Sequence, residues 1–268
     1  MIRKIRKALT SFNRKSPEKK SGERSGPPVQ INPEEKDKEI SGWVSPKYSQ
    51  SRTVDLDPGV IARNRCLAYL DNMPEAESYR VLRTHLLQRT RGSGSNTIMV
   101  TSALPGEGKT LAAINLAFTF AREFQHTVLL IDGDLRNQSI HKYLGYASEK
   151  GLIDHLVDGS PLSELITWPG VEKMTLISGG RSYKESAEIL GSPLMKKLVS
   201  EMKTRYPERY LLFDLPPILT GADVLAFAPL VDYVVVVVQA GKTSMDDVKR
   251  ALQFLPKEKI LGFILNRC

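Results

Sequence analysis

At residues 103–110 the chain contains Ala103-Leu104-Pro105-Gly106-Glu107-Gly108-Lys109-Thr110. An apolar run at 97–101 precedes this stretch and a helix-favouring run at 111–117 follows it, an order that predicts strand, glycine-bearing loop and helix. The spacing of Ala, four residues and Gly-Lys-Thr is that of a phosphate-binding loop, in which backbone N–H groups at a helix N-terminus surround a polyphosphate. The alternative is an ordinary surface turn rich in Gly and Pro, which the flanking strand and helix disfavour.

The residue types in this loop match the needs of a bound polyphosphate. Gly106 and Gly108 allow the backbone to curl closely around the phosphates, Lys109 can reach the β- and γ-phosphates, and the Thr110 hydroxyl can ligate Mg²⁺. The predicted nucleotide-binding residues of the loop are Gly106, Glu107, Gly108, Lys109, Thr110 and Leu111.

Composition indicates a soluble globular protein with room for a sizeable core. The chain has 268 residues and a formal net charge of +8, but nine Lys/Arg and two Glu within residues 1–30 account for +7 of that charge. The remaining sequence carries only +1, which argues against a broad basic face for nucleic acid. We therefore expect no nucleic-acid partner.

The N-terminal segment is predicted to lie outside the folded domain. Residues 16–50 are rich in Lys, Glu, Ser, Pro and Gly with almost no apolar pattern, which indicates a disordered linker. Residues 1–13 place apolar side chains at helical spacing among basic ones, a pattern that fits contact with an anionic membrane surface and equally a solvated tail. We predict a disordered basic tail and linker over residues 1–51 and one folded domain over residues 52–268.

Cysteine content and hydropathy favour a cytoplasmic protein. Cys66 and Cys268 are too few and too far apart in sequence for a disulfide framework. Apolar runs such as residues 234–238 fall far short of the ~20 residues of a membrane span, and no signal-peptide core follows the basic N-terminus.

Apolar and amphipathic segments alternate along the rest of the chain. Buried strands are predicted within residues 97–101, 127–132, 173–178, 210–217, 234–238 and 260–265. Strands that are apolar throughout and separated by helices indicate an α/β fold, a mostly parallel sheet with helices on both faces. Ligands of such sheets bind at the carboxyl ends of the strands.

Three carboxylates lie at or just beyond the carboxyl ends of two of these strands. Asp214 fits the acid that Mg²⁺-nucleotide chemistry requires beside the loop. Asp132 and Asp134 end another strand, and a simple phosphate-binding loop does not require such a pair. They could instead cap the following helix, but their expected position near the loop favours metal holding or proton abstraction over capping alone.

A helix is predicted over residues 77–87, with an apolar stripe on one side. Glu77, Arg80 and Arg83 share the side next to that stripe. From the helix alone, ion pairing between residues three apart on a solvated face is the favoured interpretation over a charged docking strip.

Taken together, these segments resemble the bacterial tyrosine kinases of the polysaccharide-export group, which are related in fold to the MinD/ParA ATPases. The loop at 103–110 and the runs at 129–136 and 211–217 look like the Walker A, Walker A′ and Walker B motifs of that family. The resemblance covers residues 75–266, and it includes Gly241-Lys242-Thr243-Ser244 after the Val-rich strand. It also includes Glu77-x-x-Arg80-x-x-Arg83, which mediates ring-like self-association in that family, so docking becomes the favoured interpretation of the helix.

The resemblance also implies roles for single residues. Lys109 would hold the phosphates, and Asp132, supported by Asp134, would deprotonate an attacking tyrosine. Asn266 stands where the family often places an Asn that contacts adenine. The Mg²⁺ ligands that the resemblance implies are Thr110, Asp132 and Asp214.

Two departures from the family pattern bear on autophosphorylation. Family kinases usually carry a tyrosine-rich C-terminal segment as their substrate, whereas no tyrosine follows Tyr233 here. The segment at 185–190 also lacks the usual Asn-Pro. Neither departure affects nucleotide binding. We expect any autophosphorylation to be weak and to fall on Tyr48 or Tyr183.

The resemblance implies an ATP- and Mg²⁺-dependent protein-tyrosine kinase, or a kinase-like ATPase, that regulates exopolysaccharide or capsule biosynthesis and export. Its expected partners are copies of itself and a transmembrane co-polymerase-type activator at the inner membrane, which would hold it at the cytoplasmic surface. The alternative is a non-kinase ATP switch of MinD/ParA type that controls assembly of a membrane-associated complex. Leu104 disfavours that alternative because such switches usually carry an extra Lys there.

Overall fold

The computed structural model describes residues 51–70 and 73–267, which contain one eight-stranded sheet. Its strands are β1 Arg52–Thr53, β2 Thr97–Ser102, β3 Thr127–Asp132, β4 Ile166–Trp168, β5 Met174–Ile177, β6 Arg209–Asp214, β7 Tyr233–Gln239 and β8 Ile260–Asn266. In space they follow the order β1-β4-β5-β3-β6-β2-β7-β8. Every neighbouring pair is parallel except β4 and β5.

Helices connect most of the strands. They are α1 Pro58–Arg63, α2 Pro74–Thr90, α3 Lys109–Ala121, α4 Ile140–Leu144, α5 Leu152–Asp158, α6 Leu162–Leu165, α7 Ser186–Leu190, α8 Pro193–Arg205, α9 Asp223–Phe227 and α10 Met245–Leu252. Two of the longer helices start at serine caps, because the Ser192 hydroxyl accepts the N–H of Met195 and the Ser244 hydroxyl accepts the N–H of Asp247.

Side chains from the central strands pack into two apolar cores, one on each face of the sheet. In β2, Ile98 and Val100 belong to the core that contains the residues of α3, and Met99 belongs to the core that contains Met195 and Leu198 of α8. Successive residues of a strand point to opposite faces, so a sheet covered on both sides needs apolar residues at every position. This arrangement confirms the predicted α/β fold with helices on both faces.

The register of the sheet aligns the carboxyl ends of its central strands. Asp132 at the end of β3 is the register partner of Asp214 at the end of β6. Asp214 is also paired with Val100 of β2, the strand that leads into the phosphate-binding loop. Because β3, β6 and β2 are parallel neighbours, the loop and both acids lie at one edge of the sheet.

Several details differ from the sequence-based expectations. Helix α2 begins at Pro74 rather than Glu77, since proline suits the first turn of a helix. The short elements β4, α4, α6 and α7 were not predicted, because three to five residues are too few to show a periodic pattern. Tyr79, Tyr210 and Tyr233 lie in apolar patterns that predict burial. Tyr210 is buried, but the prediction is wrong for Tyr79 and Tyr233, which are half-buried.

The predicted tail and linker, the possible membrane contact at 1–13 and Tyr48 lie outside the described residues, so the domain boundary after residue 51 stays a prediction. Within the part of the chain that the structure describes, no helix has both the length and the apolar character needed to cross a membrane.

Candidate active site

Two glycines shape the loop between β2 and α3. Gly106 and Gly108 have φ angles of 79° and 91°, in the left-handed region that side chains disfavour. At Gly108 an added Cβ would also lie 2.2 Å from Nδ2 of Asn266. The loop leads into the N-terminus of α3, a 13-residue helix whose dipole and unpaired N–H groups favour an anion at that end.

Lys109 lies between two carboxylates. Its Nζ is 3.0 Å from Oδ2 of Asp134 and 3.4 Å from Oδ1 of Asp214. Burial alone would lower the pKa of Lys109, but the negative charges of Asp214 and Asp134 outweigh burial, and the pKa is raised. The ammonium group is therefore charged and held beside the loop.

Thr110 and Asp214 are joined directly. The Thr110 hydroxyl donates to Oδ2 of Asp214 at 2.6 Å and lies 3.2 Å from the hydroxyl of Ser139. Burial raises the pKa of the fully buried Asp214, against the opposing effects of Lys109 and the Thr110 hydrogen bond. Ser139 was not predicted as a site residue, although a hydroxyl side chain shortly after the Walker A′-like run could have indicated one.

Asp132 accepts three backbone hydrogen bonds. Its Oδ1 accepts the N–H of Asp134 at 3.2 Å, and its Oδ2 accepts the N–H groups of Ser139 and Ile140 at 3.0 and 3.1 Å. Asp132 therefore does cap the start of α4, the role that the sequence left open. Burial, followed by the negative charge of Asp214, raises the pKa of Asp132 to about 7. A carboxylate with that pKa can accept a proton near neutral pH.

The donor atoms fit Mg²⁺ bound together with a nucleotide. Thr110, Asp132 and Asp214 offer hydroxyl and carboxylate oxygens, the hard ligands that Mg²⁺ prefers. Across residues 51–70 and 73–267, no group of three or more His, Cys, Asp or Glu is arranged to hold a metal. Mg²⁺ usually keeps several waters and binds substrate phosphates together with one or two carboxylates, which these residues can supply.

A cleft of about 470 Å³ opens at the loop, a volume suited to a small-molecule ligand. It brings together the loop, the end of the Walker A′-like run and the double proline after Asp214. The cleft is lined by Pro105, Gly106, Gly108, Lys109, Thr110, Asp134, Arg136, Asn137, Ser139, Tyr143, Pro216, Pro217, Thr220, Asp223 and Arg267.

Three predicted nucleotide-binding residues do not line this cleft. The Glu107 carboxylate is buried and accepts the N–H of Leu104 at 2.7 Å. The side chain of Leu111 packs against the apolar core on the α3 face. Asn266 uses its Nδ2 to donate to the main-chain oxygen of Glu107 at 2.8 Å. The side chains of these residues thus support the loop from behind.

Arg136 is held at the cleft by a buried pair that sequence reasoning missed. Its Nε donates to the hydroxyl of Ser186 at 2.6 Å, and its Nη2 lies 3.6 Å from Oδ2 of Asp223. Ser186 in turn donates to Asp223, and both residues are buried. They begin the short helices α7 and α9, far from Arg136 in sequence, so no local pattern connected them.

The Glu-x-x-Arg-x-x-Arg helix does not reach the cleft. Arg80 and Glu77 form an ion pair of 3.0 Å on the exposed side of α2. Arg83 is half-buried and donates from Nη1 to the main-chain oxygen of Thr119, near the C-terminal end of α3, at 2.8 Å. Helix α2 therefore contacts the helix that begins at the loop, but at its opposite end.

Comparison with known proteins agrees with this geometry. The family described as "ParA: NUBPL iron-transfer P-loop NTPase" matches residues 94–268. The tyrosine-protein kinase YwqD of Bacillus subtilis is 34% identical over 193 residues, which cover 71% of this chain and 80% of YwqD.

Two further likenesses extend the comparison. The succinoglycan biosynthesis transport protein ExoP of Rhizobium meliloti is 34% identical over 203 residues, which are 72% of this chain and 25% of ExoP. The kinase domain of the Escherichia coli tyrosine kinase ETK superposes with a TM-score of 0.70 at 27% identity, and the match covers 83% of this chain and 90% of that domain.

Proposed function

Because this chain belongs to the bacterial tyrosine kinases, within the ParA-like P-loop NTPases, we propose that it is an ATP-dependent protein-tyrosine kinase that regulates exopolysaccharide or capsule biosynthesis and export. P-loop NTPases bind a nucleotide with Mg²⁺, and this chain has their loop. The observation that carries the proposal is the convergence of Lys109, Thr110 and three aspartates at one edge of the sheet.

The proposed phosphate site uses charges already in position. Lys109 binds the β- and γ-phosphate oxygens. Its contacts with the carboxylates of Asp134 and Asp214 hold its ammonium group beside the loop. Thr110 and Asp214 hold Mg²⁺, which would neutralise phosphate charge during transfer. Their hydrogen bond of 2.6 Å keeps both oxygens at the same place before the metal binds.

The proposed proton acceptor is Asp132. Its pKa of about 7 leaves it partly ionised at neutral pH, and three backbone N–H groups fix its orientation. A tyrosine hydroxyl beside Asp132 would lose its proton to that carboxylate as its oxygen bonds to the γ-phosphorus of ATP. The bond from that phosphorus to the oxygen bridging the β-phosphate would break, and ADP would leave. Asp134 steadies this arrangement through Lys109 and through its own N–H bond to Asp132.

The proposed setting is a complex with a membrane protein. ExoP is named as a succinoglycan transport protein, and the matching region is only a quarter of its length. The likeness to a transport protein supports a transmembrane co-polymerase-type partner for this kinase at the inner membrane. We propose that copies of the chain also self-associate through the helix that carries Glu77, Arg80 and Arg83. Glu77 and Arg80 supply the exposed contacts, because Arg83 is bound to Thr119 within the same chain.

Incubation of the purified protein with ATP and Mg²⁺, alone and with its co-purified partner, tests the proposal. Phosphotyrosine detected by mass spectrometry, and absent for Lys109→Ala, is the expected result. ATP turnover without phosphotyrosine on either protein would contradict the kinase assignment and favour the ATP-switch alternative.

A further inference from the structure

Glu107 is a buried acid within a loop whose task is to attract an anion. The residue is only 2% exposed, although its neighbours on both sides, Gly106 and Gly108, line the cleft. Burying a carboxylate is unfavourable unless hydrogen bonds compensate for the lost water. The partners of this carboxylate therefore identify what it does.

Its partners come from the loop itself and from the end of β7. Oε2 accepts the N–H of Leu104 at 2.7 Å, within the loop. Oε1 accepts the hydroxyl of Thr243 and the N–H of Gln239, the latter at 3.4 Å. The Thr243 hydroxyl also accepts the N–H of Gln239 at 3.1 Å, so its single proton is directed to Glu107. One carboxylate thus links two segments more than 130 residues apart in sequence.

The link continues beyond these residues. The main-chain oxygen of Glu107 accepts Nδ2 of Asn266, and the main-chain oxygen of Asn266 accepts the N–H of Ala240 at 2.9 Å. Thr243 immediately precedes Ser244, the cap of α10. Through residues that do not line the cleft, the loop is therefore attached to the ends of both β7 and β8 and to the start of α10.

We propose that Glu107 and Thr243 form a latch that holds the phosphate-binding loop in its binding shape and couples nucleotide occupancy to residues 239–244. Neither side chain lines the cleft, so both are positioning residues rather than contacts of the nucleotide. The inference rests on the proposed nucleotide site. It assigns a role to the Gly241-Lys242-Thr243-Ser244 segment that the phosphate chemistry leaves without one.

Simple electrostatics and the latch predict opposite results for Glu107→Gln. Removing a negative charge near bound phosphates would by itself strengthen nucleotide binding. In the latch, however, both carboxylate oxygens accept hydrogen bonds, so the NH₂ group of Gln would face a donor on one side. The latch therefore predicts that the affinity for ADP and Mg²⁺ falls about tenfold in this variant.

Thr243→Val provides an independent test without a change of charge. It removes the hydroxyl at nearly constant volume, whereas Thr243→Ser keeps the hydroxyl and Lys242→Ala alters an exposed neighbour in the same segment. We expect calorimetry with ADP and Mg²⁺ to show a severalfold loss of affinity for Thr243→Val and wild-type affinity for both controls. Combining Glu107→Gln with Thr243→Val should add little to the larger single effect, because both break the same contact.

Hydrogen exchange separates positioning from a general effect on stability. In the unchanged protein, nucleotide should protect the amides of residues 239–244, and that protection should be lost in Thr243→Val. Affinity and protection that match the unchanged protein would overturn the latch while leaving the proposed function intact. If the unchanged protein bound no nucleotide, the proposed function would fall together with the latch.

Discussion

Arg83 donates a hydrogen bond of 2.8 Å to the main-chain oxygen of Thr119, which joins α2 to the C-terminal end of α3. A guanidinium at this end of a helix satisfies a terminal carbonyl and interacts favourably with the helix dipole. Arg80, by contrast, forms an ion pair with the exposed Glu77, three residues earlier in the same helix. Two arginines of one motif therefore have different surroundings, and their substitution should have different consequences.

We predict that Arg83→Ala lowers the free energy of unfolding by about 1 kcal/mol, because it removes the bond to Thr119. Arg80→Ala should change stability by less than about 0.5 kcal/mol, because exposed ion pairs contribute little. Denaturant titration of both variants provides the measurement. Equal destabilisation by the two substitutions would contradict this assignment.

The same pair tests assembly. If Glu77 and Arg80 form the exposed docking strip, Arg80→Ala should reduce the mass measured by light scattering and make assembly less sensitive to salt, since exposed charges are screened. Lys196→Ala, an exposed lysine on α8, is a suitable control. An unchanged mass across a salt series would argue against self-association through this strip.

For the nucleotide site, we predict that Lys109→Ala weakens binding of ATP with Mg²⁺ about a hundredfold, because the charge on the phosphates loses its partner. Asp214→Ala should leave a weaker binding that no longer depends on Mg²⁺, because it removes a proposed metal ligand and the partner of Thr110. Calorimetry with and without Mg²⁺ checks both statements. Unchanged affinity in both variants would reject the site.

For the proton acceptor, Asp132→Asn should reduce the rate of tyrosine phosphorylation by about 10²–10⁴ while the affinity for ADP without Mg²⁺ changes little. Asn keeps one oxygen to accept backbone N–H groups at the start of α4, so the fold should survive. Single-turnover assays with ³²P-labelled ATP measure the rate. A rate near that of the unchanged protein would exclude Asp132 as the acceptor.

Tyr183 is one of the two tyrosines on which the sequence predicts autophosphorylation, but its anchoring in the structure leads us to predict that Tyr183→Phe has little effect on any autophosphorylation. Tyr183 is half-buried, its side chain packs against a core, and its N–H bonds to the main-chain oxygen of Leu135 at 2.9 Å. Such anchoring hinders delivery of its hydroxyl to another active site. Site-resolved mass spectrometry that finds abundant phosphate on Tyr183 would show that this loop moves.

A further prediction concerns the stability of the protein at low pH. It depends on Asp232, which immediately precedes β7 at the end of the sheet opposite the phosphate-binding loop. Burial alone would raise the pKa of Asp232, but hydrogen bonds from Lys203 and Thr97 outweigh it and lower the pKa. A lowered pKa in the folded state stabilises the protein above the unfolded-state pKa of about 4, and the contribution is lost as the pH falls through the folded-state value.

Asp232→Asn should therefore destabilise the protein by about 1–2 kcal/mol at pH 7, with a smaller difference at pH 3. Asp246→Asn, which changes an acid with an 88% exposed side chain, serves as the control. Thermal unfolding over this pH range provides the measurement. A difference between Asp232→Asn and the unchanged protein that stays constant with pH would contradict the assignment.

Local sequence was sufficient to predict the loop and the central strands. The glycines at 106 and 108, the Lys-Thr pair and the apolar runs act through backbone geometry and burial, which depend on near neighbours in the chain. Periodicity likewise indicated a sheet covered on both faces, because strands with no polar face can be buried only in that way.

Contacts between distant segments required the tertiary structure. The register that pairs Asp132 with Asp214, the bond from Thr243 to Glu107 and the anchoring of Arg136 each join residues more than 35 positions apart. Such contacts depend on strand order and on how helices pack on the sheet, and neither leaves a periodic signal along the chain. Residue types therefore indicated which chemistry the chain could perform, while packing determined which side chains face the cleft and which support it from behind.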